Sequence, residues 1–191
     1  MTRAEQWHIV LRVVAAEQLG NLPYHGFLKR FIEDITTSAV RFGAEFHRYV
    51  GDEVILTWDE RKGLEEGNCV NAVFAMTEAL ELASDSYAAD FGVVPRFWAG
   101  LHLGPVVTGE IGTVKHEIAN LGDTLNTAAR IEQACREFQR PFVASRDVIQ
   151  AVDLPHRVSA DSLGEIELRG LGSSVELLAV TKDTGHGRGD R

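Results

Sequence analysis

The chain has 191 residues, of which 45% are hydrophobic and 25% are charged, values that suit one globular domain and exclude wholesale disorder. A formal net charge of -9 argues against nucleic acid or an anionic membrane as the main partner. Cys69 and Cys135 form no CxxC motif, so neither a disulfide scaffold nor a cysteine zinc site is expected. The sequence has no apolar run near the roughly 20 residues of a membrane span and no signal-peptide pattern, and we expect a cytoplasmic protein.

The first predicted elements after residue 20 are a helix and a hairpin. Apolar residues recur every three or four positions from Tyr24 to Phe42 and predict an amphipathic helix, with Gly43 where a C-terminal cap is expected. Two β-prone runs, residues 45–50 and 54–58, flank a glycine and two acidic residues. This pattern predicts a β-hairpin with its tip at Gly51-Asp52.

Later segments continue the alternation of helices with strand pairs. The predicted elements are a helix over 68–89, strands over 97–103 and 106–111 joined at Gly104-Pro105, a helix over 124–138, a strand over 141–144, a helix over 146–152 capped by Ser145, a hairpin of strands 164–168 and 175–180, and a flexible tail over 181–191. This order favours an α/β sandwich, with one mixed or antiparallel sheet and helices on a face.

The N-terminal segment is open to two interpretations. Residues 9–14 (IVLRVV) have strong β propensity and suit a first strand. A helix with Ile9, Val13 and Ala16 on one face fits the same residues.

Asp52 is the first candidate for chemistry. A carboxylate at a tight hairpin tip is held rigidly and points outward, which suits Mg²⁺, a cation that takes one or two carboxylates plus substrate phosphates. A Gly-Asp pair is also common turn chemistry, and on this motif alone the turn is the favoured interpretation.

A second candidate lies in residues 121–130 (LGDTLNTAAR). A glycine turn opens a helix there, with Thr124 near its N-cap, and Asn126 and Arg130 are four residues apart on one helical face. An amide and a guanidinium on one face can bind a phosphate and its developing charge. The same residue types are ordinary on an exposed helix.

Taken together, the motifs resemble those of a known family. Residues 46–52 (FHRYVGD), 100–109 (GLHLGPVVTG), 122–130 (GDTLNTAAR) and 163–170 (LGEIELRG) resemble the class III adenylate/guanylate cyclase catalytic domain. The resemblance spans residues 16–180 and leaves 1–15 as a degenerate or truncated first-strand region.

The resemblance implies a fold and a reaction. The fold is of the α/β (α+β) class, a ferredoxin-like βαββαβ core with C-terminal strand additions. The reaction converts ATP or GTP to a 3′,5′-cyclic nucleotide and pyrophosphate in a head-to-tail dimer whose active sites lie at the interface. Two aspartates of one protomer hold two metal ions, Mg²⁺ or Mn²⁺, and an Asn and an Arg of the other stabilise the transferring phosphoryl group. A Lys on the closing hairpin holds the triphosphate, and a further residue pair reads the purine.

Three residues match this pattern directly. Asp52 corresponds to the second metal aspartate, and Asn126 and Arg130 correspond to the pair that acts on the phosphoryl group. The first metal aspartate is missing. Counting back without gaps from residues 16–20 puts His8 in its place, and a first strand over 9–14 is not followed by an Asp either, Glu17 being the nearest acid.

The substrate-binding positions are also altered. Arg48 stands where adenylate cyclases usually carry the purine-selecting Lys, and Ala119 stands where its Asp or Thr partner is expected. Leu171 occupies the position of the triphosphate Lys, with Arg169 two residues away.

These matches and departures define three hypotheses. The first is an adenylate cyclase that acts on ATP, or on GTP, as a homodimer. The second is a catalytically impaired domain that binds nucleotide, or that forms a heterodimer with an intact cyclase domain and lends it Asn126 and Arg130. The third is a mis-started or truncated part of a longer enzyme.

Overall fold

The computed structural model describes residues 5–15, 23–107, 109–111, 117–119, 122–168 and 173–183. Within them the strands are β1 Glu5–Ala15, β2 Glu45–Val50, β3 Glu53–Asp59, β4 Phe97–Val107, β5 Gly109–Ile111, β6 Glu117–Ala119, β7 Phe142–Ser145, β8 Val158–Leu168 and β9 Ser173–Lys182. The helices are α1 Pro23–Val40, α2 Glu60–Leu64, α3 Asn68–Leu82, α4 Ser84–Phe91, α5 Gly122–Glu137 and α6 Arg146–Ala151, with a 3₁₀ turn at Glu65–Gly67.

The main sheet has the strand order β2-β3-β1-β4-β7-β9-β8. Its first four strands are antiparallel, and α1 connects β1 to β2 while α3 and α4 connect β3 to β4. This is the ferredoxin-like βαββαβ core. The C-terminal additions are β7, which is parallel to β4, and the antiparallel hairpin of β8 and β9. The predicted fold class is therefore confirmed.

Helices cover both faces of the sheet. Val54, Leu56 and Trp58 alternate along β3 and pack in the main core with residues of α1 and α3. The intervening Ile55 packs with Ala128 of α5 on the opposite face. Alternate strand residues point to opposite faces, so β3 separates an α1/α3 layer from an α5 layer.

The N-terminal segment is a strand and not a helix. β1 lies between β3 and β4 and pairs antiparallel with both. It extends the 9–14 strand in both directions, and its residues up to Ala15 belong to the core sheet. The domain boundary at residue 16 stays a prediction.

The predicted strand break at Gly104-Pro105 is wrong. β4 runs without interruption from Phe97 to Val107, and β5 pairs with β6 instead. A Cβ on Gly104 would lie 2.6 Å from Thr124 Oγ1, so this glycine provides room for a neighbouring helix and does not form a turn. Pro105 is tolerated because β7 pairs with β4 only from Ala99 to Leu101.

The predicted helix over 68–89 is also corrected, since it is two helices that meet at Ala83. The second helix, α4, turns to pack on α1, where Tyr87 lies 5.8 Å from Phe27 between ring centroids. Arg30 of α1 donates hydrogen bonds to Asp90 and Ser86 of α4. These contacts with α1 account for the change of direction.

The C-terminal hairpin is longer than predicted. β9 includes residues 181 and 182 of the predicted tail, and residues 184–191 lie outside the described part of the chain. Ser145 does precede α6 as predicted, but its side chain makes no capping hydrogen bond. Among the described residues, no helix is both long and apolar enough to cross a membrane.

Candidate active site

Asp52 lies at the tip of the β2–β3 hairpin, as the sequence predicts. Val50 pairs with Glu53, so the loop consists of two residues. Gly51 has a positive φ of 65°, a conformation that glycine adopts without steric cost. Asp52 is half-buried, so the tight turn fixes the backbone from which its carboxylate projects and leaves that carboxylate accessible.

Two titratable side chains lie close to Asp52. Tyr24, in the first turn of α1, has its pKa raised by burial and also by the charge of Asp52. Glu53 is only 5% exposed, and it shares with Ile55 the strand face that packs against α5. The sequence motifs predict a role for neither residue. The alternation of side chains along β3 is the sequence signal from which the orientation of Glu53 could have been predicted.

The β1 register shows what lies beside this tip. Val14 pairs with Glu53, and one further step of the ladder puts Ala15 level with Asp52. His8 pairs with Asp59, at the opposite end of β3. The ungapped count that puts His8 at the metal position is therefore not supported, and the end of β1 nearest Asp52 offers no carboxylate.

The donor set around Asp52 suits one divalent cation. Mg²⁺ is commonly bound by one or two carboxylates and completed by substrate phosphates, and Asp52 provides one accessible carboxylate. The centre for two cations that the resemblance implies takes a second carboxylate from the first strand, and β1 ends in Val13, Val14 and Ala15. Among the described residues, no group of three or more His, Cys, Asp or Glu could hold a metal ion.

Asn126 and Arg130 lie on α5 and share its outward face. Asn126 is exposed and Arg130 is half-buried, while Ala128 and Ile131 between and beyond them are fully buried. The i,i+4 spacing puts the two polar side chains one helical turn apart. The structure thus brings these two residues together, on an element separate from the hairpin that carries Asp52.

Close contacts with β4 set the position of α5. A Cβ on Gly100 would lie 2.4 Å from Glu132 N and 2.7 Å from Ala128 O, so the helix backbone rests directly on the strand. Near the start of the helix, Thr124 Oγ1 donates a hydrogen bond to Pro105 O at 2.7 Å. Both halves of α5 are therefore anchored to the same strand.

Two of the three substrate-binding candidates lie on described strands, and the third lies outside the described residues. Arg48 is exposed on β2, just after an irregularity in the pairing with β3. Ala119 ends β6 and pairs with Gly109 in the small β5–β6 sheet. Arg169 and Leu171 lie outside the described residues. The roles given to Arg48, Ala119 and Arg169 stay predictions.

A buried histidine lies between β4 and α6. His102 Nδ1 and Ser145 Oγ share a hydrogen bond at 2.9 Å, and both side chains are buried. Burial lowers the pKa of His102 to about 4, against an opposing effect of Asp147. The imidazole is therefore neutral near pH 7 and serves the packing of this end of the sheet.

The fold is that of nucleotide cyclase catalytic domains. The structure of the adenylyl cyclase CyaB from P. aeruginosa matches with a TM-score of 0.79 at 15% identity, over 96% of this chain and 97% of that one. The structure of the guanylyl cyclase Cya2 matches with a TM-score of 0.78 at 16% identity, over 97% of this chain and 98% of that one. No protein-family model matches the sequence.

The sequence relatives include "Adenylate cyclase 2" of Rhizobium meliloti (strain 1021), which is 34% identical over 174 residues. That match covers 91% of this chain and 48% of the relative, so the chain spans about half of the relative's length. The chain belongs to the class III adenylate/guanylate cyclase catalytic domain family.

Proposed function

We propose that this domain converts ATP to 3′,5′-cyclic AMP and pyrophosphate, for signalling in the cytoplasm. The observation that carries the proposal is that one chain presents both kinds of group. Asp52 is an accessible carboxylate at a tight hairpin tip, and Asn126 and Arg130 lie on an anchored helix face. The relative with 34% identity is named an adenylate cyclase, which favours ATP over GTP. GTP is the competing substrate, because Arg48 and Ala119 depart from the residues expected for adenine.

The polar side chains suit a phosphoryl reaction. The guanidinium of Arg130 and the amide of Asn126 can donate hydrogen bonds to phosphate oxygens, and fixed donors stabilise charge that develops during the reaction. A cation held by Asp52 and the substrate phosphates, Mg²⁺ or Mn²⁺, would screen the charge of the attacking and leaving oxygens. Positioning and electrostatics account for most of the catalysis in phosphoryl transfer.

We propose that the site is completed by a second protomer. Asp52 and the Asn126–Arg130 face lie on different elements, at the tip of the β2–β3 hairpin and on α5 respectively. In a head-to-tail dimer each site takes Asp52 from one protomer and the α5 pair from the other. The partner is a second copy of this chain or an intact cyclase domain.

The direct test is cyclic nucleotide production by the purified chain, with ATP and with GTP, in Mg²⁺ and in Mn²⁺. Asp52→Asn and Arg130→Ala should each lower the rate by about 10²–10³ or more. Two matched controls, Asp59→Asn on the same strand and Arg136→Ala on the same helix, should stay near the wild-type rate. Equal losses in the variants and their controls would contradict the assignment of the site.

Mixing the two inactive variants tests the shared site. If protomers exchange freely, half of the dimers are mixed, and each mixed dimer has one intact site. About a quarter of the wild-type rate should then return. No recovery in a sample that is shown to contain mixed dimers would exclude the composite arrangement.

The end of β1 favours a second candidate function, an impaired domain that lends Asn126 and Arg130 to an intact partner. One step beyond the last β1–β3 pair, Val14 with Glu53, Ala15 would lie level with Asp52, and we propose that a carboxylate there would complete a centre for two cations. If the missing carboxylate limits the reaction, Ala15→Asp should raise Mn²⁺ affinity and the rate. An active wild type that Ala15→Asp does not improve would favour the first function.

A further inference from the structure

We propose that Thr124 is a positioning residue, whose buried hydroxyl fixes the first turn of α5 on β4 and thereby holds Asn126 in place. The inference rests on the proposed function, in which Asn126 acts on the substrate. It concerns a residue that makes no contact with the substrate and that acts through its neighbour.

The hydroxyl of Thr124 bonds to a strand and not to its own helix. Helix α5 begins at Gly122, so Thr124 is its third residue, and a threonine near this end commonly caps the helix's own N–H groups. Here Thr124 is 3% exposed, and its Oγ1 donates to the carbonyl oxygen of Pro105 at 2.7 Å. A buried hydroxyl that loses such a partner keeps the cost of its desolvation without the bond that offsets it, so the bond constrains where the first turn of α5 lies.

Strand β4 has room for the Thr124 side chain because residue 104 is a glycine. A Cβ on Gly104 would lie 2.6 Å from Thr124 Oγ1 and 3.0 Å from Thr124 Cγ2, so only glycine permits this approach. The hydroxyl donates to Pro105 O, and the hydroxyl and the methyl group both lie in the space above Gly104. Both substituents of the threonine Cβ are therefore used.

The two candidate residues on α5 depend on this contact unequally. Asn126 lies two residues after Thr124 and is exposed, so the first turn of the helix sets its position. Arg130 lies nearer the second contact, where the helix backbone at Ala128 and Glu132 rests on Gly100. Loss of the Thr124 hydroxyl should therefore displace Asn126 and leave Arg130 where it is.

The experiment compares Thr124→Val, which removes the hydroxyl, with Thr124→Ser, which keeps it. The matched control is Thr127→Val, because Thr127 is also 3% exposed but its Oγ1 donates to Asp123 O within the same helix. Small displacements of catalytic groups can cost about 10² in rate. We expect Thr124→Val to lower kcat at least tenfold with little change in KM, whereas Thr124→Ser and Thr127→Val stay within about threefold of wild type.

A double-mutant cycle separates a positioning role from a structural one. If Thr124 acts through Asn126, Thr124→Val should have little further effect on kcat in an Asn126→Ala background, and it should keep its full effect in an Arg130→Ala background. Equal effects in both backgrounds, or a Thr124→Ser rate as low as that of Thr124→Val, would overturn the proposal.

Hydrogen exchange tests the inference without any turnover. Amides of residues 126–128, the first in α5 that can donate to a carbonyl four residues earlier, should exchange faster in Thr124→Val than in wild type or Thr127→Val, and equal exchange would refute the inference. Wild-type chain that makes no cyclic nucleotide would count against the proposed function, and the exchange result would still decide the role of the hydroxyl. Should Thr124→Val not fold, Thr124→Ser and Thr124→Ala give the same comparison, since they differ only in the hydroxyl.

Discussion

Replacing Gly100 by alanine should both destabilise the domain and displace the helix that carries Asn126 and Arg130. Gly100 is buried in β4 and has no positive φ, so the backbone accepts alanine and the effect comes from the added methyl group. That group would lie 2.4 Å from Glu132 N and 2.7 Å from Ala128 O. Both are backbone atoms of α5, and neither can move without moving the helix.

The distances set the size of the effect. An ordinary contact begins at 3.4 Å, so α5 would have to retreat by about 1 Å, which forfeits a quarter to a half of the attraction between the packed surfaces. Overpacking of this kind costs about 3 kcal/mol. For a chain of this size the melting temperature should fall by about 6–12 °C. If the function is as proposed, a shift of this size should also lower the rate by about 10².

Urea unfolding of wild type and variant measures the loss of stability. The cyclase assay, at a temperature where both proteins are folded, measures the loss of rate. Gly26→Ala is the matched control, because Gly26 lies exposed in α1 and its added Cβ would meet Phe91 at an ordinary 3.6 Å. That change should stabilise the protein by about 0.5–1 kcal/mol. A Gly100→Ala variant within about 0.5 kcal/mol of wild type would refute the reasoning.

Two further predictions concern buried titratable groups. Since the pKa of His102 in the folded chain, about 4, lies below its ordinary value near 6.5, the unfolded state takes up the proton first. Stability should therefore fall as the pH drops through this window, by about 2 kcal/mol between pH 7 and pH 5. His102→Asn should show a correspondingly smaller loss in urea titrations. Burial raises the thiol pKa of Cys69 and Cys135 to about 12, so neither should react with iodoacetamide in the native state at pH 8, and rapid labelling there would contradict this burial.

Local chemistry explains which parts of the fold the sequence predicts correctly. The hairpin tip at Gly51-Asp52 follows from a turn dipeptide between two alternating runs, and that information lies within about ten residues. The helix break at Ala83 and the continuity of β4 through Gly104 instead depend on contacts with residues that are distant in the sequence. Gly104 is required by Thr124, twenty positions later in the chain, and no local pattern distinguishes such a glycine from a turn.

The same distinction between local and long-range information applies to the candidate site. The spacing of Asn126 and Arg130 predicts their shared face, because helical periodicity is a local property. The hydrogen bond from Thr124 to Pro105 and the burial of Glu53 depend on how α5 lies on the sheet. The register of β1 is the feature of the site that the sequence predicts least well. Composition allows both a strand and a helix there, and only the pairing with β3 shows that Val14 lies opposite Glu53, beside the hairpin tip, and that His8 lies opposite Asp59 at the far end.

The two halves of the proposed site are fixed to different degrees, which has a consequence for function. The α5 half is held on β4 in its first turn by Thr124 and at its middle by the contact at Gly100, so the backbone that carries Asn126 and Arg130 is positioned before any substrate binds. The cation half has one accessible carboxylate beside a strand that ends in apolar residues. In a dimer with two shared sites, each protomer contributes its Asn126–Arg130 half to one site and its cation half to the other. A protomer with this sequence is therefore better suited to supply the Asn126–Arg130 half to a partner than to supply the cation half, and the partner's own carboxylates decide how active the dimer is.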